Sequence, residues 1–418
     1  MDRLFITKLD INQVRHLSGI SIPFSENEMK HLILTGKNGS GKTSVVEAMA
    51  KYLNNVFSDI HLMDREEWLI NNQNLKKGAV QHGQDEGEIF RLEKEINRLE
   101  KDIKRSRNGL KIEFNRKAGS IFAMKERYHY VLAYYRADRI FEAIQPKHIE
   151  KVSLRDDYGI GEFPRNEFVK YLLDLKMTEA LARNNHKTAK ADEIKTWFTE
   201  FEKLLKKIFA DESIKLEFDE DTFAFRILQQ GKKPFDFNTL SSGYQAVLDI
   251  VLDIIMRMQN QTQRSFDFHV PGIVLVDEIE THLHLELQKN IMPLLTTIFP
   301  NIQFIVTSHS PFILNSIRNA VIYDLENHLL VENGLDNVPY DGIVEGYFGA
   351  DKLSDKLKEK FGQYKRLVKK ENLSDDELNK LAELELYLDE IPDYLALGIT
   401  TEYQRLKIEF MNREDMHG

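Results

Sequence analysis

HLILTGKNGSGKTSVVEAMA, residues 31–50, is the stretch on which the fold turns. HLILT is short, apolar and strand-like, and Val46, Met49, Ala50, Leu53 and Phe57 follow at helical spacing. Between them GKNGSGKT, Gly36 to Thr43, fits G-x-x-x-x-G-K-S/T in the strand–loop–helix setting that marks a phosphate cradle. Its glycines let backbone N–H groups wrap phosphates, Lys42 supplies a point charge, and the Thr43 hydroxyl suits Mg2+. The expected ATP-binding residues are Gly36, Asn38, Gly39, Ser40, Gly41, Lys42, Thr43 and Ser44, with Mg2+ on Thr43.

Outward from the cradle, GIVLVDE reads as a buried strand that ejects Asp277 and Glu278 at its carboxyl end, where ligands bind in parallel sheets. Asp277 is expected to hold Mg2+ through water, and Glu278 to orient or deprotonate an attacking water. IQFIVTSHS is another strand with His309 at its tip, within reach of a γ-phosphate. FNTLSSGYQ, residues 237–245, runs into the apolar helix AVLDIVLDIIM. Ser241, Ser242 and Gly243 therefore form a second anion cradle at a helix N-terminus.

Alternation of short buried strands with helices predicts an α/β fold. LFITKLDINQVRHLSGISIPF looks like two strands joined at Leu17–Gly19, HYVLAYY like a strand, and SIKLEFDEDTFAFRIL like a hairpin. Residues 164–210 look helical, while 60–87 give no clear pattern. Ile89, Leu92, Ile96, Leu99 and Ile103 form a short heptad seam, fitting either a stubby antiparallel coil or an amphipathic surface helix. The basic stretch KDIKRSRNGLKIEFNRKAG and the acidic stretch ENLSDDELNKLAELELYLDEIPD read as solvated helix faces or binding patches.

The 418 residues carry a net charge of −10, which argues against a generally nucleic-acid-coated protein. The absence of cysteine excludes disulfides and thiolate metal sites and makes a reducing cytoplasm the simplest home. No apolar run approaches the roughly 20 residues of a membrane span, so no membrane partner is expected.

The order of P-loop, LSSGYQ, VLVDE and SHS resembles the ATP-binding-cassette ATPases, specifically the RecF/SMC/OLD-like group. The resemblance implies a P-loop NTPase of ABC-ATPase type with a mixed sheet core, a helical lobe, a short coiled-coil-like insertion and a helical C-terminal appendix. The expected boundaries are 1–60 and 125–345 for the core, about 160–255 for its lobe, 61–124 for the insertion and 346–418 for the acidic appendix, a possible partner-docking region. The resemblance also implies that Ser241, Ser242 and Gly243 close over ATP on a partner's P-loop, giving a head-to-tail dimer or a higher even oligomer.

Three positions depart from the common pattern: Tyr244 follows the signature glycine, His284 replaces an aspartate, and no Q-loop glutamine is evident. Gln145 is a weak candidate for that role, with Arg136 or Arg139 as substitutes. His282 and His284 suggest either a metal pair or a modified D-loop, the second fitting better without a third ligand. DEIETHLH with TSHSP and no D-x-D after His309 resembles the ATPase subunit of Septu-type anti-phage systems. That implies a slow or regulatory ATPase working with a separate nuclease, such as one of HNH type. A DNA-repair ATPase binding nucleic acid directly and a non-catalytic ATP-dependent scaffold are the alternatives.

Overall fold

The computed structural model describes residues 3–59, 61–62, 64–82, 85–116, 130–139, 142–146, 148–347, 355–370, 372–390 and 397–414. The chain opens with β1 (Ile6–Val14), β2 (Leu17–Pro23), β3 (His31–Thr35) and α1 (Lys42–Ser58). The helical pair α2 (Asp64–Gln81) and α3 (Glu86–Arg107) follows, then β4 (Leu110–Phe114) and β5 (Val131–Tyr135). Next come α4 (Phe168–Asn184), α5 (Thr188–Phe209), the strands β6 (Lys215–Asp219) and β7 (Ala224–Leu228), and α6 (Ser242–Met258). The unit ends with β8 (Gly272–Val276), α7 (Leu285–Ile298), β9 (Ile302–Thr307), α8 (Pro311–Leu314), β10 (Ala320–Asp324) and β11 (Leu329–Val331).

Six strands form the main sheet in the order β11-β10-β3-β9-β8-β5. All neighbours are parallel except the edge strand β11. Every residue of β3, β5, β8, β9 and β10 is buried, as continuous apolar runs require when both sheet faces are covered. Thr35 lies opposite Asp324, Leu34 opposite Thr307, and Val276 opposite both Val306 and Tyr135. The carboxyl ends of five strands are therefore level along one edge, where loops after them can share a ligand. This is the α/β P-loop architecture that the sequence motifs imply.

A second sheet, β2-β1-β4, is antiparallel. Leu9, Ile11, Ile22 and Ile112 from it share one core with Val45, Met49 and Leu53 of α1 and with Leu32 and Leu34 of β3. Two expectations change here. Val14 pairs with Leu17, so the β1–β2 turn is Arg15–His16, with Arg15 at φ 52°, and not Leu17–Gly19. Gly19 sits inside β2, its side-chain-free backbone at φ +67°. Residues 110–114, assigned by sequence to the insertion, complete this sheet against β1. Their alternating LKIEF pattern gives no local sign of a partner more than ninety residues away in sequence.

The insertion is an antiparallel helical hairpin: Lys76 pairs with Glu93 at 2.7 Å, and Arg107 with Glu66 further along. Its seam buries Leu99 and Ile103. α2 fills the region in which the sequence shows no pattern. Of its residues only Ala79 is buried, so no apolar periodicity marks it.

Val338 and Pro339 divide the chain into two compact units, slightly ahead of the boundary expected at 345. The second unit contains α9 (Asp355–Val368), α10 (Asp375–Asp389) and α11 (Leu397–Glu414). Its core joins Phe361, Tyr364, Val368, Leu381, Leu384, Leu388, Tyr403 and Leu406. Ser374 and Glu377 make a reciprocal capping box at the start of α10.

Candidate functional site

The loop after β3 turns on three left-handed glycines, Gly36, Gly39 and Gly41, at φ 129°, 85° and 101°. A side chain at Gly41 would meet Leu17 Cδ1 at 2.7 Å, so the backbone conformation and the packing both demand glycine. Lys42, at the first turn of α1, is buried, and its ammonium donates to the carbonyls of Gly36 at 2.8 Å and Lys37 at 3.1 Å. Burial lowers its pKa, against the opposing pull of Glu278, Glu280, Asp277 and Asp324. Ser40 Oγ is buried without a partner, while Thr43 is exposed. An oxyanion would supply the acceptors that this loop lacks.

The neighbouring strand ends converge on the loop. Thr307 Oγ1 donates to Asp277 Oδ1 at 2.7 Å and accepts the Glu278 N–H at 2.7 Å, so one hydroxyl fixes both acids. Asp277 is buried, and Glu278 stands at φ 45°, a left-handed backbone unusual for a non-glycine residue. Its carboxylate accepts from Thr281 Oγ1 at 3.3 Å. His309 Nε2 is buried with no partner, and burial together with Lys42 depresses its pKa, leaving the imidazole neutral at neutral pH.

Four contributors escape the motif reading. Glu280 accepts the His309 backbone N–H at 2.5 Å, and its burial raises its pKa. Thr307 joins the two acids as above. Asp324 and Glu326 brace the loop from β10: Glu326 accepts from Lys37 Nζ at 2.8 Å, and Asp324 accepts the Glu326 N–H at 2.8 Å. Asp324 carries the same strand-end signal as Asp277, in AVIYD, and was legible on that ground.

This donor and acceptor set fits a Mg2+–nucleotide: backbone donors, one cation, a hydroxyl and a strand-end acid, with phosphate oxygens left to complete the metal shell. No group of three His, Cys, Asp or Glu side chains suited to a metal occurs among the described residues. His282 and His284 instead cover Gly243. A Cβ there would lie 3.2 Å from the His282 carbonyl oxygen and 3.3 Å from His284 Nε2.

The second cradle is held from behind. Phe237 packs edge-on against Phe168, with ring centroids 5.9 Å apart. Asn238 exchanges hydrogen bonds of 2.8 and 2.9 Å with the Ala143 backbone, and Gln245 donates to the Asn238 carbonyl at 2.9 Å. Tyr244, the departure after the signature glycine, stacks on Phe209 at 4.4 Å and so serves packing. Ser241 and Ser242 are exposed at the N-terminus of α6. The body of α6 packs on β5: Tyr135 Oη donates to Asp253 at 2.8 Å, and Arg257 donates to the Leu132 carbonyl at 3.1 Å. β5 lies three strand spacings from β3, about 14 Å. The two cradles thus occupy different parts of the chain.

The Q-loop candidates separate. Gln145 and Arg136 are exposed, Arg136 standing 4.0 Å from Glu47. Arg139 is buried, and its guanidinium faces backbone carbonyls. In the basic stretch, Arg107 engages Glu66 and Lys111 engages Glu113 at 2.8 Å. Residues 117–118 lie outside the described residues. No helix among the described residues is long and apolar enough to cross a membrane.

Comparison with known proteins agrees with this geometry. A Septu protein PtuA from Bacillus mycoides (strain KBAB4) is 25% identical over 96% of this chain and 52% of its own length. A "Retron Ec83 probable ATPase" from Escherichia coli is 34% identical over 34% of this chain and 27% of its own. The chain thus spans about half, or less, of the length of these curated relatives. Among solved structures, an Smc head bound to the C-winged helix domain of ScpA aligns with 80% of this chain and 100% of that one, at 13% identity and a TM-score of 0.38. Residues 32–315 match the AAA_21 model, described as "AAA domain, putative AbiEii toxin, Type IV TA system". With about two-thirds of its length inside that match, the chain belongs to the AAA_21 family of P-loop ATPase domains.

Proposed function

We propose that the protein is an ABC-type ATPase that binds and hydrolyses Mg2+–ATP between two heads and controls a separate effector, a nuclease, in anti-phage defence. The observation that carries this reading is the division of labour within one chain. A complete phosphate loop lies above β3, while Ser241 and Ser242 stand exposed at the N-terminus of α6, where a second copy can reach them. Gly36 to Ser44 hold the phosphates, and Thr43 with Asp277 holds Mg2+. Bound Mg2+ offsets phosphate charge and orients the terminal phosphate.

Glu278, fixed by Thr307 and Thr281, accepts a proton from the attacking water. His309, neutral and unpartnered at Nε2, is free to hydrogen-bond the transferring group. Ser241, Ser242 and the Gly243 backbone present donors to the phosphate held by the partner copy. The likeness to a Septu protein and a retron ATPase supports the defence role. In the basic stretch acids engage Arg107 and Lys111, while Lys101, Lys104 and Arg105 stand exposed.

The test is the Glu278→Gln variant with Mg2+–ATP. Its turnover should fall about 10²–10⁴-fold with ATP binding retained. Sedimentation velocity should show an ATP-dependent dimer, and adding Ser241→Arg should abolish the dimer without loss of ATP binding. A Glu278→Gln chain that stays monomeric with ATP bound, or turns over like the parent, overturns the reading.

A further inference from the structure

Arg139 follows β5 in the stretch YYRADR and is nine-tenths buried, yet no carboxylate pairs with it directly. Its guanidinium spends its donors on backbone. Nη1 reaches the Arg136 carbonyl at 3.2 Å and the Asp277 carbonyl at 3.1 Å, and Nη2 reaches the Ile279 carbonyl at 3.1 Å. Both nitrogens stand 3.5 Å from the Glu278 carbonyl between them. Three consecutive carbonyls therefore converge on one planar cation, at the turn where Glu278 adopts φ 45°.

Such a turn is costly for a non-glycine residue unless its surroundings fix it. The other ties on this segment restrain its N–H groups: Asp277 N–H to the Tyr135 carbonyl at 2.8 Å, Glu278 N–H to Thr307 Oγ1, and Ile279 N–H to the Thr307 carbonyl at 3.1 Å. The Glu278 carbonyl also accepts the Thr281 N–H at 3.0 Å, and Arg139 supplies the restraint on the flanking carbonyls of Asp277 and Ile279. Lysine could not replace it, because a single ammonium lacks the planar fork that spans carbonyls two residues apart. Burial lowers the Arg139 pKa, and the nearby Asp249 of α6 opposes that shift. Asp249 itself pairs with Arg165.

We propose that Arg139 is a positioning residue for Glu278: it clamps the carbonyls of residues 277–279 and so aims the Glu278 carboxylate at the attacking water. The inference rests on the ATPase reading above. It assigns to Arg139 no contact with ATP, in contrast to the role expected of a Q-loop substitute.

The experiment uses the full chain carrying Arg139→Lys and, separately, Arg139→Ala. Both should bind ATP within about threefold of the parent, while kcat falls about 10²-fold, the scale of a 1 Å misplacement at a reacting group. Millimolar guanidinium should restore part of the lost kcat in Arg139→Ala. Hydrogen exchange read by mass spectrometry should quicken in peptides covering 277–283 and stay unchanged in those covering 32–46. Parent-like kcat in Arg139→Lys overturns the proposal, as does loss of ATP affinity by the same factor as turnover. Should Arg139→Ala fail to fold, Arg139→Lys decides alone. Exchange needs no turnover, so an inactive parent would sink the ATPase reading, while unchanged exchange at 277–283 would sink this one.

Discussion

Lys42 shows how much of the site one side chain carries. Its ammonium is held by two carbonyls of its own loop and lies in the field of four acids. Phosphate oxygens would exchange those neutral acceptors for charged ones, and a hydrogen bond to a charged group contributes about 1.5–3 kcal/mol. Lys42→Ala should therefore weaken ATP binding by at least about tenfold. Thermal melts read this directly: at equal concentration Mg2+–ATP should raise the Tm of the parent more than that of the variant. An equal shift in both would show that the loop holds nucleotide without its cation. At this scale the sequence was most informative, because motif spacing named Lys42, Asp277, Glu278 and His309 in advance. It missed Glu280, Thr307 and Glu326, whose roles depend on which strand ends become neighbours.

At the scale of elements, α6 combines two demands. It is buried nearly all round, yet it carries Asp249 and Asp253. Asp253 receives Tyr135 Oη at 2.8 Å and Arg257 Nε at 2.7 Å, while Asp249 has Arg165. Burial, with Asp253 adding to it, pushes Asp249 up to about 6 despite Arg165. The folded value lies above the ordinary 3.8, so the folded chain holds the extra proton between about pH 4 and 6. This contribution to stability is complete below that window and lost as pH rises through it. Asp249→Asn removes the term. The stability of the parent relative to the variant should then grow as pH falls from 7 to 4, by about 1–3 kcal/mol. Urea titrations at both pH values measure it, and a constant difference would contradict the raised value.

On the scale of the whole molecule, the two compact units make separate predictions. Leu381, Leu384 and Leu388, within the acidic stretch, close the core of the C-terminal unit. Leu386 stays 67% exposed and Leu378 40%, while Ile391 lies outside the described residues. Leu384→Ala should cost about 2–5 kcal/mol in that unit, while Leu386→Ala should stay within about 0.5 kcal/mol. Denaturant melts of the two variants separate core from surface, and equal losses would refute the assignment. Leu378 and Leu386, among Asp375, Glu383 and Glu390, stand with Ile408 and Met411 as exposed apolar groups of this unit. A chain ending at Val338 should keep its ATP-dependent rise in Tm, because every candidate site residue lies before that point.

The sequence alone determined the strand–loop–helix at 31–50, the α/β class and the helical character of 164–210. Each is encoded locally, by apolar runs, helical periodicity or glycines at fixed offsets. It did not determine that β4 would pair with β1, or that α2 would form at all. Nor did it show that Arg139 would turn to the backbone of residues 277–279. Strand pairing and buried polar partnerships join residues far apart in the chain, and no short window of sequence contains both halves. The tertiary structure decided which strand ends stand side by side, and therefore which polar groups share one site.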